Sequence, residues 1–416
     1  MANTAFLFPG QGSQYVGMGK KLHDQFTAAK LLFEEANDTL GYDLVKLCFE
    51  GSHQELMQTM NTQPAILAVS VMAFEIGRQE LGWEPCFMAG HSLGEYSALV
   101  CSGVMSYRDG LSIVRKRGML MQAAVSSSLG AMAAVTHVVA DQLEEWCRRT
   151  TTETSQVVIA CYNSLQQHVI AGHQEAVRAV ADRVLEAAPH ASVKYLNVSA
   201  PFHSPLMQSA ADKLALELRN VETRPGRWPI ISNVTARPYG REDLVGLLYR
   251  QMTHPVRWRE TMEYLYRNDM ERAVEVGPRQ VLTQLMKETY PAVQTFHVEH
   301  PQEMNTLRPL FAADGTRRET AIAAAQAALT AALIARNRNE DAEAYTTGVV
   351  EPIRQTRELI EQMRRRDGNL DVNQILDRIR ELLRQILNTK QLPPDKQNDI
   401  FSKLQAIGQS AAVLQR

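Results

Sequence analysis

One segment constrains the fold more than any other: from Phe87 to Val100, a short apolar strand, a glycine-bracketed turn and a helix follow one another directly. The turn reads Gly90-His91-Ser92-Leu93-Gly94. Its glycines allow a reversal so tight that the Ser92 hydroxyl is pushed out of the strand end, where it is free to attack. The pentapeptide alone is also typical of a glycine turn with a capping serine. Its position between a strand and a helix favours a nucleophile.

Strands and helices alternate through much of the chain. Ala5 to Phe8 is an apolar run that ends in Pro9-Gly10, and apolar residues with helical spacing follow in 20–40 and 64–81. Later strands are predicted at 229–232 and 272–276. This alternation predicts an α/β fold with a mostly parallel sheet and helices on its faces. We expect a hydrolase-like core built from residues 1–128 and 200–300.

The pattern changes between about residues 129 and 199. Strands are predicted at 131–139, 157–161, 168–172 and 192–198, and helices at 141–149 and 175–187. The resulting β-α-β-β-α-β order is that of the ferredoxin-like fold. The sequence therefore predicts an inserted ferredoxin-like subdomain over 129–199.

The region from 301 to 416 has a different composition, rich in Ala and Arg and helical in pattern. A heptad seam is formed by Val372, Leu376, Ile379, Leu383 and Ile386. Asp395 follows two prolines and is predicted to cap the next helix. We expect a helical appendage, which is either a bundle that stabilises or solubilises the protein or a docking module for a partner.

Composition excludes several classes of function. The net charge of −2 shows no basic excess, so neither nucleic acid nor an anionic membrane is expected as a ligand. The five cysteines are widely spaced without a CxxC pair, which predicts reduced thiols and no metal site. No apolar stretch is long enough to span a bilayer, and the N-terminus lacks the pattern of a signal peptide. These features predict a cytoplasmic protein.

A serine nucleophile needs a base to take its proton. His203 stands out among the 11 histidines because it lies where a strand exits into a proline-bracketed loop. A surface or structural role is the more common one for any single histidine of this kind. His91 is a rival for the base, although neighbours around so tight a turn tend to point apart.

Two other side chains could serve the same reaction. Gln11 lies in a glycine-flanked loop after the first strand, where its amide can donate to a developing oxyanion; a simple turn is the alternative. Arg117 lies on a helix beside Arg115 and Lys116, a pattern typical of a solvated face. A single inward-facing Arg would instead form a bidentate binding site for a carboxylate.

Taken together, these residues resemble the malonyl-coenzyme A:acyl carrier protein transacylases and the discrete acyltransferases of polyketide synthases. The resemblance covers about residues 4–300 and its motifs occur in the family's order. They are Phe8-Pro9-Gly10-Gln11-Gly12-Ser13-Gln14, the Gly90–Gly94 turn, Arg117-Gly118 with Gln122, Phe202-His203-Ser204 and Glu275-Val276-Gly277-Pro278.

The resemblance implies a role for each candidate. Ser92 would attack the thioester carbonyl of an acyl-coenzyme A, and His203 would accept its proton and later activate the thiol of an acyl carrier protein. The backbone N–H of Leu93 and the loop at Gln11 would line the oxyanion hole. Arg117 would pair with the malonyl carboxylate.

Three further positions follow from the same resemblance. The backbone carbonyl at Gln251 would hold the base histidine in place of an Asp, and Asn163 would line the pocket. Phe202 would crowd an α-methyl group, which favours malonyl over methylmalonyl. The implied substrate is a coenzyme A thioester with no bound cofactor or metal, in fatty acid or polyketide biosynthesis, with synthase modules as further partners.

Several alternatives stay open on the sequence. An α/β-hydrolase would need a third acid, for which Asp109, Asp141 and Asp182 are available. An editing acyl hydrolase of the same fold, a transferase for aminomalonyl, and a non-catalytic scaffold are the others. The retained Arg117 argues against the hydrolases, and the intact Ser92 and His203 argue against the scaffold.

Overall fold

The computed structural model describes residues 3–124, 130–197, 200–240, 244–365 and 372–401, except for the side chains of 313–317 and 365. These residues form two compact units, Asn3–Asn305 and a second unit that begins at Thr306. The boundary lies five residues beyond the predicted end of the core and falls within a helix, Pro301–Ile334.

The first unit contains two sheets. Its strands are β1 Thr4–Phe8, β2 Phe87–Gly90, β3 Gly130–Thr136, β4 Val157–Tyr162, β5 Gln167–His173, β6 Ser192–Tyr195, β7 Ile230–Ile231, β8 Arg272–Val276 and β9 Gln294–Val298. The larger sheet has the order β7-β2-β1-β8-β9, and all its neighbours pair in parallel. The predicted α/β architecture with a mostly parallel sheet is therefore confirmed.

Sequence reasoning missed β9, the edge strand of this sheet. Its residues, Gln294 to Val298, include polar side chains and give no apolar run, and only Val298 is buried. An edge strand needs to bury less than a central one, so its sequence carries a weaker pattern. By contrast, β1 and β8 are buried along their whole length, and both were predicted.

The smaller sheet has four antiparallel strands in the order β4-β5-β3-β6. Two helices, α8 Ala140–Thr150 and α9 Gln174–Ala187, complete the strand-helix-strand-strand-helix-strand order that the sequence predicts. Apolar side chains of the helices and strands share one core, which includes Leu143, Val177 and Ile170. The last strand ends at Tyr195, earlier than predicted; Val198 lies outside the described residues.

The first unit contains eleven further helices among the described residues. They are α1 Lys20–Gln25, α2 Thr27–Leu40, α3 Leu44–Glu50, α4 His53–Leu56, α5 Thr59–Leu81, α6 Leu93–Cys101, α7 Tyr107–Ala123, α10 Gln208–Leu218, α11 Leu244–Thr253, α12 Trp258–Arg267 and α13 Val281–Thr289. Of these, α5, α6 and α13 pack against the larger sheet. The single helix expected over 20–40 is interrupted at Phe26, whose extended backbone separates α1 from α2. Helix α5 begins before Pro64, which lies inside it.

The second unit is helical. It contains most of α14 Pro301–Ile334, then α15 Ala342–Tyr345, a π-helical turn Thr346–Val350, α16 Glu351–Arg365, α17 Val372–Thr389 and a helix over the described residues 394–401. Leu376 of the expected heptad seam is only half-buried, whereas Ile375, Leu382 and Leu387 are buried. The buried stripe of α17 is thus wider than a coiled-coil seam and is typical of a bundle helix. Asp395 lies in the first turn of the last helix instead of preceding it.

Three general features complete the description. None of the described helices is long and apolar enough to cross a membrane. All five cysteines are free thiols. Within the described ranges, no cluster of three or more His, Cys, Asp or Glu residues could hold a metal ion.

Candidate active site

The turn between β2 and α6 holds Ser92 in a strained conformation, with φ 53° and ψ −102°. Such a backbone is costly for a residue with a side chain and is most often found at functional sites. The neighbouring glycines make it possible. A Cβ on Gly94 would lie 2.0 Å from the carbonyl oxygen of Phe8, and one on Gly90 would lie 1.9 Å from the backbone carbon of Gly94. Only glycine therefore fits at these two positions.

His203 faces the serine from the loop before α10. Its Nε2 atom lies 2.7 Å from Ser92 Oγ, and its Nδ1 atom lies 2.7 Å from the backbone carbonyl oxygen of Gln251. A carbonyl oxygen only accepts, so Nδ1 carries the proton and Nε2 is free to accept from the serine hydroxyl. Burial, and next the nearby charge of Arg117, lower the pKa of His203 to about 3. The imidazole is therefore neutral near pH 7, as a general base must be.

The rival base, His91, points elsewhere. Its Nε2 atom lies 2.9 Å from Oδ1 of Asn163, which is in the loop between β4 and β5. Burial lowers the pKa of His91, so its ring is neutral and its Nε2–H donates to the amide oxygen. The structure thus separates the two histidines, and it places Asn163 against His91 and not against Ser92.

Arg117 is almost fully buried, with 1 % of its surface exposed, and turns inward from α7. Its Nη2 atom donates to Ser92 Oγ at 3.1 Å and to Gln251 Oε1 at 3.0 Å, while Nη1 donates to Gln63 Oε1 at 3.0 Å. The guanidinium also lies over the ring of Tyr96, 5.3 Å from its centroid. It has no ion pair among the described residues, and its Nε has no hydrogen-bond partner there. A buried cation without an ion pair is costly, which is typical of a site built for an anion.

The other predicted residues lie close to this group. Leu93 is the first residue of α6, where its N–H has no acceptor within the helix. Gln11 is in the loop after β1, and its Nε2 donates to Thr59 Oγ1 at 3.3 Å. That loop packs on the serine turn, since a Cβ on Gly10 would lie 2.4 Å from the carbonyl oxygen of His91. Phe202 is buried directly beside the base histidine.

Sequence reasoning missed Asn233, which follows β7 at the same edge of the sheet. Its Oδ1 accepts from the N–H of Ser92 at 2.7 Å, and its Nδ2 donates to the carbonyl of Gly90 at 2.7 Å. One side chain therefore holds both ends of the strained turn. One sequence signal could have identified Asn233, because it is a polar residue directly after a predicted strand. The carboxyl ends of parallel strands lie at one edge of a sheet, and binding sites are usually built there.

Sequence reasoning also missed Glu95, which is 1 % exposed. Its carboxylate accepts from Nε2 of Gln251 at 2.6 Å, from the backbone N–H of Asn233 at 3.2 Å and from the hydroxyl of Tyr239. Ser92-Leu93-Gly94-Glu95 fits the S-x-x-E pattern of a solvent-facing capping box, which conceals this inward role. Burial raises the pKa of Glu95 to about 7.

The carboxylates that an α/β-hydrolase would require are elsewhere. Asp109 pairs with Ser106 at the start of α7, and Asp141 and Asp182 are exposed on the helices of the smaller sheet. The Gln251 carbonyl occupies the Nδ1 side of His203, which is the position that a third acid would need. The site is a serine–histidine pair with a buried arginine.

Comparison with known proteins agrees with this geometry. The family model described as "Acyl transferase domain" matches residues 5–335. A malonyl CoA-acyl carrier protein transacylase of Bacillus subtilis is 43 % identical over 398 residues, covering 94 % of this chain and 98 % of the relative. The transacylase of Escherichia coli K12 is 40 % identical over 305 residues, covering 73 % of this chain and 98 % of the relative.

A solved structure has the same fold. It is a malonyl-transacylase in complex with a type II polyketide synthase acyl-carrier protein, 38 % identical with a TM-score of 0.71, and it covers 73 % of this chain and 98 % of that chain. Both curated relatives are at least 40 % identical to this chain over 98 % of their own length. The chain therefore belongs to the malonyl-CoA:acyl carrier protein transacylase family.

Proposed function

We propose that this enzyme transfers a malonyl group from malonyl-CoA to the phosphopantetheine thiol of an acyl carrier protein, through an ester on Ser92. The observation that carries the proposal is the buried Arg117, whose Nη2 lies 3.1 Å from the serine oxygen and which has no ion pair among the described residues. A malonyl carboxylate would supply the missing anion while its thioester carbonyl lies at the nucleophile.

The loading half-reaction follows from the hydrogen bonds. Ser92 Oγ gives its proton to His203 Nε2 and forms a bond to the thioester carbon. The carbonyl oxygen becomes an oxyanion, which the Leu93 N–H and the Gln11 side chain would stabilise. Collapse of the intermediate breaks the carbon–sulfur bond, and the coenzyme A sulfur takes the proton from His203. The product is malonyl-Ser92.

The transfer half-reaction reverses these roles. The carrier-protein thiol gives its proton to His203 and attacks the ester carbon. The serine oxygen leaves and regains the proton, so the enzyme returns to its starting state. One donor to an oxyanion is typically worth about 3 to 4 kcal/mol, so loss of the Gln11 or Leu93 contact would slow both halves.

Two finer structural assignments belong to the same proposal. We assign residues 129–199 to a ferredoxin-like subdomain inserted in a hydrolase-like core, because the β4-β5-β3-β6 order is antiparallel and flanked by two helices. Asn163 of this subdomain contacts His91, so the subdomain would form one wall of the acyl pocket. Phe202 would form another wall and favour malonyl over a branched acyl unit.

We propose that this chain is a discrete acyltransferase of a polyketide synthase, and the helical unit is the feature that supports this assignment. The match to the Bacillus subtilis relative spans 398 residues and extends into this unit, whereas the match to the Escherichia coli relative spans 305. We assign the unit to docking on a synthase partner, with stabilisation of the chain as the alternative function.

Intact-protein mass spectrometry tests the central claim. Wild-type protein mixed with malonyl-CoA should gain the mass of one malonyl group, and Ser92→Ala should gain nothing. A mixture of coenzyme A thioesters, including the aminomalonyl compound, reveals the preferred unit. An adduct that persists in Ser92→Ala would contradict the assignment of the nucleophile.

A further inference from the structure

Glu95 is a buried acid that contacts no reacting atom yet touches three parts of the site. It lies on α6 three residues after Ser92, and its side chain turns inward to accept hydrogen bonds from Gln251, Asn233 and Tyr239. Asn233 in turn holds the N–H of Ser92. Burying a carboxylate costs several kcal/mol unless such partners offset it, so a structural role alone would be served better by an apolar residue.

The Gln251 side chain connects this carboxylate to Arg117. Its Nε2 donates to Glu95 at 2.6 Å and to the carbonyl of Ser92 at 2.9 Å, and its Oε1 accepts from Arg117 at 3.0 Å. A carboxylate only accepts and a guanidinium only donates, so the amide between them has a single orientation that satisfies both. An ionised Glu95 therefore fixes the direction in which the amide holds the arginine.

The spacing of these groups has an electrostatic consequence. Glu95 lowers the cost of burying the guanidinium, since its negative charge stabilises the cation of Arg117 across the amide. It forms no direct ion pair with Arg117, so the Nη2 atom stays directed at Ser92 Oγ. A direct pair would instead neutralise the cation that the malonyl carboxylate needs.

We infer that Glu95 is a positioning residue for the acyl unit: its ionised carboxylate orients the Gln251 amide, which holds Arg117 to receive the malonyl carboxylate. This inference rests on the proposed malonyl transfer and concerns selectivity between acyl groups. Glu95 acts through Gln251 and touches neither substrate nor nucleophile side chain.

The inference makes selectivity depend on pH. Three charged or titratable groups face Glu95: Arg117 from α7, Tyr239 from the loop after β7, and Tyr96 on its own helix. Burial raises the pKa of Glu95 to about 7, although the hydrogen bonds it accepts oppose that rise. The carboxylate is therefore present above pH 7 and is lost as the pH falls below 7.

A protonated Glu95 changes the network, because its hydroxyl donates where the carboxylate accepted. The amide of Gln251 then loses its single favourable orientation, and when the amide reverses, Arg117 loses Gln251 Oε1 as one of its acceptors. His203 stays neutral through the same range, since its pKa is about 3. Loading of acetyl, which needs His203 and no carboxylate seat, is the internal reference.

The experiment measures initial rates of Ser92 acylation by malonyl-CoA and by acetyl-CoA from pH 5.5 to 8.5, by rapid quench and intact-protein mass spectrometry. In wild type, the malonyl-to-acetyl ratio should fall below a midpoint near pH 7, to a floor roughly 10- to 150-fold lower, the range for a lost charged hydrogen bond. Glu95→Gln should give a low ratio that does not change with pH.

Tyr239→Phe is the matched second variant. Its hydroxyl donates to the Glu95 carboxylate and favours the charged form, so its removal should move the midpoint above that of wild type. Circular dichroism and acetyl loading check that each variant is folded. This variant and the wild-type profile test the inference even when Glu95→Gln does not fold.

The outcomes separate the two claims. A wild-type enzyme that loads malonyl faster than acetyl at pH 8.5, with a ratio that does not change with pH, keeps the transferase and overturns the role of Glu95. A midpoint that Tyr239→Phe leaves in place also overturns it. A wild-type enzyme that forms no malonyl ester overturns both.

Discussion

The Nδ1 atom of His203 lies 2.7 Å from the backbone carbonyl oxygen of Gln251, in the position that a carboxylate occupies in Ser-His-Asp triads. A carbonyl orients the imidazole and fixes its tautomer, but it brings no negative charge to stabilise an imidazolium. Burial, and next the nearby charge of Arg117, lower the pKa of His203 to about 3. The protonated form of His203 is therefore short-lived, and it gives its proton readily to the leaving group.

His203→Ala should lower the rate of Ser92 acylation by about 10²- to 10⁴-fold, the usual contribution of a positioned general base. His91→Ala is the matched comparison, since His91 adjoins the nucleophile yet contacts Asn163. We expect it to have the smaller effect. Stopped acylation reactions analysed by mass spectrometry give both rates. If His91→Ala abolishes acylation while His203→Ala does not, the base is misassigned.

Arg117→Ala should reduce malonyl loading by roughly 10- to 150-fold, because a hydrogen bond to a charged group is worth about 1.5 to 3 kcal/mol. Acetyl loading should be unchanged or improved, since acetyl offers no carboxylate to the site. Initial rates with both thioesters on both proteins provide the measurement.

Lys116→Ala is the control for Arg117 on the same helix. Lys116 is exposed and pairs with Glu217 at 3.0 Å on the surface, so its loss should leave both rates unchanged. Equal losses of malonyl and acetyl loading in Arg117→Ala would mean that the arginine is not the carboxylate seat.

A chain that ends at Asn305 should still acylate Ser92, because every site residue lies within Asn3–Asn305. The Escherichia coli relative, of which the 305-residue match covers 98 %, supports this expectation. If the shortened chain loses activity, we expect the loss in the second half-reaction, the transfer of malonyl to the enzyme's own carrier protein. Separate measurements of the two half-reactions on the full and the shortened chain test this expectation. A folded shortened chain that cannot form the ester would show that the helical unit helps to build the site.

Lys390 is buried in the helical unit, and its ammonium donates to the carbonyls of Ala332, Leu333 and Ala335 at 2.9 to 3.0 Å. These carbonyls lie at the C-terminal end of α14 and directly after it. Lys390→Met removes the donor, and we expect a loss of about 1–3 kcal/mol in the free energy of unfolding of this unit. Ser92 acylation should be unaffected.

Two probes separate the units in that experiment. All four tryptophans lie before residue 300, so their fluorescence reports on the first unit, whereas the far-ultraviolet circular dichroism includes the helical unit. Denaturant unfolding should shift in the dichroism and not in the fluorescence. Lys396→Met, at an exposed position, is the control and should shift neither. An equal shift in the two variants would contradict the capping role of Lys390.

Local sequence determined the elements that are buried or sharply bounded. The apolar runs of β1 and β2 predicted strands of the parallel sheet, because central strands are largely apolar. The glycines around Ser92 predicted the turn, because no other residue fits against the neighbouring backbone. The edge strand β9 escaped prediction since it buries little.

Only the tertiary structure decided which side chains meet at the site and in which protonation state. The family resemblance favoured His203 over His91 as the base, but the contact of His203 with Ser92 joins residues 111 positions apart and is seen only in the structure. The contacts of Asn233 and Glu95 with the site join distant segments, so the sequence did not show that Asn233 holds the serine turn or that Glu95 points inward. Motifs therefore identified the family and its nucleophile. The protonation states of the site, and the buried position of the Arg117 cation without an ion pair, arise from burial, which only the folded chain provides.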